Sequence, residues 1–265
     1  MSTKLVFSDI DGTLLTNDHV VGYLTCHEIK RIISAGIPFI PVSARMPEAI
    51  KNIMNDIPVE SPIVSYNGAL IQDESGKIIS SSPMSVDTAV DICNYVEKNM
   101  PSTTWNVYSG HEWFSQKSND RSKVDLEESI VKVKSIDSTI SDIKNLNIVH
   151  KLLLMGSVEE ITYQEEKLKK IFPQLSISKS SPAFMEIMSK GVGKDFAVKF
   201  LAEHYKVAIE DTMAFGDNFN DLEMLRAVGI GYVMENAPEK MKEEIHNIAP
   251  SNNDDGIGQI LQKIK

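Results

Sequence analysis

Two cysteines, Cys26 and Cys93, are all that the 265 residues contain. They lack metal-ligand spacing and suggest no disulfide framework, so reduced thiols in a cytoplasmic setting are the expectation. Histidine is equally sparse in pattern. His19, His27, His111, His150, His204 and His246 show no paired spacing and offer no zinc site. Positive charge is in deficit, with 27 Lys and Arg against 37 Asp and Glu, a net charge of −10. That balance argues against nucleic acid or an anionic membrane as the main partner, while leaving room for a local anion pocket. No apolar run approaches the roughly 18 residues of a membrane helix, and no basic-then-apolar leader precedes the first strand. Internal repeats and low-complexity tracts are absent as well. What is present is 42% hydrophobic residues, ample for a sizeable core and too many for a disordered chain.

The chain is organised around Val6-Phe7-Ser8-Asp9-Ile10-Asp11-Gly12-Thr13. Leu5 to Phe7 form an apolar, β-prone run that reads as a buried strand. Side chains two apart in extended chain share a side, so Asp9 and Asp11 start out together at its end. Gly12 then permits a sharp turn. Two carboxylates about 4 Å apart repel by roughly 4 kcal/mol at an effective dielectric of about 20. A cation between them, or a proton on one, removes that cost. An ordinary Asp-Gly turn is the plainer alternative.

Helices and strands alternate along the chain. Cys26, Ile29, Ile32 and Ile33 recur at helical spacing and Gly36 closes that segment. Residues 37–42 read as a second strand despite Pro38 and Pro41, which fit a central ladder poorly. A helix over 47–54, a strand over 63–65, the Asn67-Gly68 turn and a hairpin over 69–79 follow. Residues 80–83 and 178–182, both rich in Ser and ending in Pro, bracket about a hundred residues of helix–strand mixture with a charged middle. That stretch reads as an inserted domain. One continuous α/β domain with long excursions is the alternative. Beyond it, residues 184–188 read as strand or linker, and α/β alternation resumes. Strands over 212–215 and 230–234 and helices from 194, 222, 238 and 257 complete the chain. The expected domains are therefore a core of residues 1–83 and 184–265 and an insert of residues 84–183.

Strands followed by helices imply a parallel sheet, which binds ligands at the carboxyl ends of its strands. Asp9, Ser43 and Asp217 each fall at such an end. Gly216-Asp217-x-x-Asn220-Asp221 supplies hard oxygen donors suited to Mg²⁺, though a helix N-cap would use some of the same residues. Lys194 opens a helix, where an anion is favoured over a cation, and Gly191 and Gly193 allow close backbone approach to one. Lys190 is the alternative lysine. Ser43 and the amide of Ala44 either donate to a phosphate oxygen or, as for most lone serines at a strand end, serve only as a cap or turn. In the insert, Trp105, Tyr108, His111, Trp113 and Arg121 either line a substrate pocket or simply fill the core and surface. Gly191-x-Gly193 alone is no dinucleotide fingerprint.

Taken in order, Asp9-x-Asp11-Gly12-Thr13, Ser43, Lys194 and Gly216-Asp217-x-x-Asn220-Asp221 resemble motifs one to four of the haloacid dehalogenase (HAD) phosphatases. The long insert is similar to the class IIB cap of the Cof-like sugar-phosphatase branch, and Asn67-Gly68 and Asn236-Ala237 also resemble that branch. The second motif departs from the usual Thr/Ser-Gly-Arg, reading Ser43-Ala44-Arg45, whose extra methyl would narrow the pocket. The resemblance implies a Rossmann-like parallel-sheet core with an inserted, mobile α/β cap. It implies a Mg²⁺-dependent hydrolase of small phosphorylated metabolites, sugar phosphates foremost. Asp9 would be the nucleophile and Asp11 the general acid and base. Ser43, Ala44, Lys194 and Asn220 would bind phosphate. The metal would sit on Asp9, the backbone carbonyl of Asp11, Asp217 and Asp221. Arg45, Asn67, Gly68 and Asn236 would approach the substrate. Two other readings use the same residues: a phosphomutase on the same fold, and a non-catalytic sensor of phosphometabolites. Oligomeric state is not legible in the sequence.

Overall fold

The computed structural model describes residues 3–55, 57, 60–117 and 120–264. In chain order the first elements are β1 (Leu5–Ser8), α1 (Tyr23–Ser34), β2 (Phe39–Pro41), α2 (Pro47–Met54), β3 (Ile63–Ser65), β4 (Leu70–Gln72) and β5 (Ile78–Ser81). The insert follows with α3 (Val86–Asn99), β6 (Thr104–Ser109), β7 (Glu112–Gln116), α4 (Ser122–Val131), β8 (Ile136–Ser138) and α5 (Ile140–Ile143). It ends with β9 (Lys151–Met155), α6 (Val158–Ile171), β10 (Leu175–Ser181) and β11 (Phe184–Ser189). The last part comprises α7 (Lys194–His204), β12 (Thr212–Gly216), α8 (Leu222–Ala227), β13 (Ile230–Met234), α9 (Glu239–Glu244), β14 (Ile248–Ala249) and α10 (Gly256–Leu261). These elements form two compact units: Met1–Arg45 with Ile50–Ser80 and Gly193–Lys265, and Met46–Ala49 with Ser81–Val192.

In the first unit five parallel strands run in the order β14-β13-β12-β1-β2. Every residue of β1 is buried, which is why it reads as a continuous apolar run rather than an alternating one. Val6 packs with Ile29 and Ile32 of α1 and Ile257 and Ile260 of α10. Leu5 and Phe7 point the other way, to Ala197, Val198 and Leu201 of α7 and Met224 and Leu225 of α8. Helices thus cover both faces, the doubly wound arrangement. The two prolines find their places at the two ends of β2, one just before it and one as its last residue. Pro38 precedes the strand, and its carbonyl accepts the Val6 N–H at 3.0 Å. The N–H of Val42 points to Ser8 and that of Ser43 to Val64, so alternation turns the nitrogen of Pro41 toward β3. There only an isolated bridge joins the strands, and no ladder bond is forfeited.

The second unit is built on a six-stranded sheet, β10-β11-β9-β6-β7-β8. One face packs Trp105, Val107, Leu152, Leu154 and Ile187 against the buried sides of α3 and α6. Two features differ from the sequence reading. Residues 184–192 were expected in the core, yet β11 pairs antiparallel with both β9 and β10 and belongs to this sheet. The Ser-rich segment before Pro182 is the end of β10, and Pro182-Ala183 form the turn into β11, not an interdomain linker. The chain leaves the first unit between Ser80 and Ser81 and returns between Val192 and Gly193. The charged middle also folds. α4 buries Val124, Glu128 and Val131, a stripe disguised by its acidic member. Glu128 is tolerated there because Arg121 and Lys134 approach it at 2.9 and 2.6 Å and Ser135 donates twice. No helix among the described residues is long and apolar enough to cross a membrane.

Candidate active site

Register brings the predicted residues together. β1 lies between β12 and β2, with Ser8 opposite Phe215 on one side and Pro41 on the other. Asp9, Asp217 and Ser43 therefore emerge at the carboxyl ends of three adjacent parallel strands. The Asp9 N–H donates to the Phe215 carbonyl at 3.0 Å, and Val42 N–H to the Ser8 carbonyl at 2.8 Å, fixing the three ends in place.

At the centre lies a buried ion cluster. Lys194 Nζ donates to Asp9 Oδ1 at 2.5 Å and to Asp221 Oδ1 at 2.6 Å, all three side chains being less than a tenth exposed. The other oxygen of Asp221 accepts the backbone N–H groups of Asp217 and Asn218, each at 3.0 Å. Asp221 thus caps its own turn and anchors the lysine, so the N-cap reading of this motif is part of its role. Thr13 Oγ1 donates to Asp217 Oδ1 at 2.8 Å. Gly12 adopts φ +82°, and a Cβ there would stand 2.5 Å from Asp217 Oδ2. The first and last motifs are in contact through these two residues. Thr13 had no role assigned from sequence, although it belongs to the same short motif.

The cluster perturbs its own ionisation. Burial, and then the Asp221 charge, push the Asp9 carboxyl well above its usual range, against the pull of Lys194. Burial also lifts Asp217, to about 6, although the Thr13 hydrogen bond works the other way. Burial disfavours the Lys194 ammonium, but the Asp221 and Asp9 carboxylates outweigh it and hold the lysine above its ordinary value.

Asp11 stands apart from this cluster. Its carboxylate is half exposed and is held by Arg45, Nε to Oδ2 at 2.9 Å and Nη2 to Oδ1 at 2.7 Å, a bidentate pair. Ser43 is buried, and its Oγ accepts the Arg45 N–H at 3.1 Å, with Ala44 half-buried between them. Asn67 and Gly68 adjoin this loop, with the Asn67 N–H donating to the Ser43 carbonyl at 2.8 Å. Asn220 is exposed beside the buried Asp221. Asn236 does something the sequence did not suggest. Its Nδ2 donates to the Gly12 carbonyl at 2.8 Å and its Oδ1 accepts the Asn252 N–H at 3.1 Å, so both ends of the amide serve to hold the Asp-Gly turn. In the insert, Trp105 and Trp113 are core residues, and Arg121 belongs to the Glu128 network.

Asp9, Asp217 and Asp221 each offer a carboxylate oxygen within 4.8 Å of the others. Three converging carboxylates, two of them with raised pKa values, fit a hard divalent cation bound through oxygen. A buried carboxylate at a strand end, a fixed ammonium and a separate acid can together support attack on phosphorus and protonation of a leaving group.

Residues 6–261 match the protein family described as haloacid dehalogenase-like hydrolase. A Haemophilus influenzae protein given a provisional phosphatase name is 36% identical over 263 residues, 99% of this chain and 98% of that protein. The 5-amino-6-(5-phospho-D-ribitylamino)uracil phosphatase of Bacillus subtilis is 26% identical over 98% of each chain. Among solved structures, a haloacid dehalogenase-like hydrolase from Bacteroides thetaiotaomicron superposes with a TM-score of 0.90, at 25% identity and over 100% of both chains.

Proposed function

Since the chain belongs to the haloacid dehalogenase-like hydrolases and is a phosphatase of small phosphorylated metabolites, we propose that it hydrolyses sugar phosphates through an aspartyl-phosphate on Asp9. The observation that carries this reading is the carboxylate of Asp9, buried at a strand end, held by Lys194 and facing two further carboxylates. Binding alone would not require a nucleophile so placed, and this counts against a mere sensor. The substrate named for the Bacillus relative carries its phosphate on a ribityl chain, which supports a phosphorylated polyol or sugar.

Asp9 attacks phosphorus in line, forming the Oδ–P bond as the P–O bond to the sugar breaks. Asp11 gives a proton to the departing oxygen, then takes one from the water that cleaves the acyl phosphate, regenerating Asp9 and releasing inorganic phosphate. Arg45 pairs with both oxygens of the ionised Asp11, the form that takes the proton from water; to act as the acid, Asp11 carries its proton on one oxygen released from that pair. Lys194, the Ser43 hydroxyl and the loop through Ala44 bind the phosphoryl oxygens, where charge stabilisation is most of the catalytic task. Asp9, Asp217 and Asp221, supported by the backbone carbonyl of Asp11 and by Asn220, would hold Mg²⁺. When bound, that ion supplies positive charge to the phosphoryl group. The inserted unit carries the choice among sugars.

The test is phosphate release over a panel of phosphorylated sugars, nucleotides and cofactors, in Mg²⁺, in chelator and in Ca²⁺. Release from sugar phosphates in Mg²⁺ alone is expected, because Ca²⁺ takes more ligands at longer distances. Release from no ester would overturn hydrolysis, and full activity in Ca²⁺ would overturn the metal assignment.

A further inference from the structure

Tyr66, Asn67 and Gly68 all adopt positive φ, at 52°, 52° and 107°. Two of the three carry side chains, in a conformation L residues avoid. Ser65 Oγ and Asn67 Oδ1 are buried with no hydrogen-bond partner among the described residues. A segment so unfavourable persists only where its surroundings over-determine it, and such segments gather at functional sites. Its surroundings are two loops of the proposed phosphate site. On one side the Tyr66 N–H donates to the Arg45 carbonyl at 3.1 Å and the Asn67 N–H to the Ser43 carbonyl at 2.8 Å. On the other, a Cβ on Gly68 would stand 2.8 Å from the carbonyl oxygen of Gly193. That carbonyl opens α7 by accepting the Ala197 N–H, one residue before Lys194.

We infer that Tyr66–Gly68 is a positioning brace that sets the spacing between the Ser43–Arg45 loop and the Lys194 ammonium, with Gly68 as the residue that fixes it. The inference rests on the phosphatase reading, because its consequence is read in turnover. A side chain at Gly68 displaces the first turn of α7, and with it Lys194, from Asp9. A misplacement of about 1 Å can cost on the order of 10²-fold in rate.

Gly68→Ala is compared with Gly76→Ala, which also lies at positive φ (+82° against +107°) but has nothing within 4 Å of a Cβ built there. Both should lose stability by backbone strain. Only Gly68→Ala should lose kcat, by about ten-fold or more, with KM changed by less than about three-fold. A kcat within two-fold of wild type for Gly68→Ala, or an equal loss in Gly76→Ala, would overturn the brace. Should Gly68→Ala fail to fold, the pair Asn67→Gly and Asn67→Ala decides. Glycine keeps the left-handed backbone without the side chain, so its kcat should exceed that of the alanine variant by about five-fold or more. Equal kcat in the two would place the effect in the Asn67 side chain and end the proposal. Wild-type turnover, measured first, tests the phosphatase reading separately.

Discussion

Replacing Lys194 by methionine would keep most of the side-chain volume and remove the charge, leaving Asp9 and Asp221 facing each other without a counter-ion. Both carboxylates are at least nine-tenths buried, and the lysine contacts them at 2.5 and 2.6 Å. Deleting one partner of a buried ion pair costs about 3–5 kcal/mol, and two like charges about 4 Å apart add repulsion of a similar size at an effective dielectric near 20. At pH 7 in chelator, Lys194→Met should therefore lose about 3–5 kcal/mol, limited by uptake of a proton on one carboxylate. The pH dependence follows. Burial already raises the Asp9 carboxyl, and without Lys194 it loses the charge that holds it down, so the folded variant binds more protons there than the unfolded chain. The stability that Asp9 contributes is present at low pH and is lost as pH rises through its raised folded value. The deficit relative to wild type should accordingly shrink between pH 7 and pH 5, and Mg²⁺ at pH 7 should recover part of it. Urea denaturation is the assay, followed by far-UV circular dichroism because both tryptophans, Trp105 and Trp113, lie in the inserted unit. A loss that is the same at both pH values, with and without Mg²⁺, would show that the lysine stabilises by packing and refute the charge argument.

Asp9→Asn should abolish turnover while leaving the circular dichroism spectrum unchanged; more than a few per cent of residual activity would remove Asp9 as nucleophile. Asp11→Asn should lose on the order of 10²-fold more kcat/KM on a sugar phosphate than on p-nitrophenyl phosphate, because only the alkoxide needs the proton. An equal fall on both would leave Asp11 a positioning residue. Mg²⁺ affinity, measured by calorimetry, should fall as pH drops below about 6, where Asp217 takes up a proton that competes with the metal. An affinity flat from pH 7.5 to 5 would take Asp217 out of the metal site.

What could be read before the structure was whatever the backbone dictates. β1, Asp9 at its end and the Asp217 turn follow from apolar runs that stop at polar residues, and parallel register then makes those ends meet. Hidden were the features that depend on what packs against what. α4 escaped because Glu128 occupies a core position that only Arg121 and Lys134 make acceptable. The Ser–Pro stretch before β11 passed for a linker because a hairpin end and a domain boundary share the same composition. The Arg45–Asp11 pair and the bridge by Asn236 join residues 34 and 224 positions apart, and no local pattern announces contacts of that range.

A tally of charge at the site bears on the order in which its occupants arrive. When all are ionised, Asp9, Asp11, Asp217 and Asp221 face two cations, Lys194 and Arg45, and both cations already have carboxylate partners. A phosphoryl dianion approaching that arrangement meets an excess of two negative charges, on a chain whose net charge is already −10. A divalent ion would cancel the excess before the ester draws near. Loading would then be compulsory in sequence, cation first and substrate second, so lengthening the delay between the two additions should shorten the pre-steady-state lag when the substrate is the one withheld and leave it unchanged when the metal is.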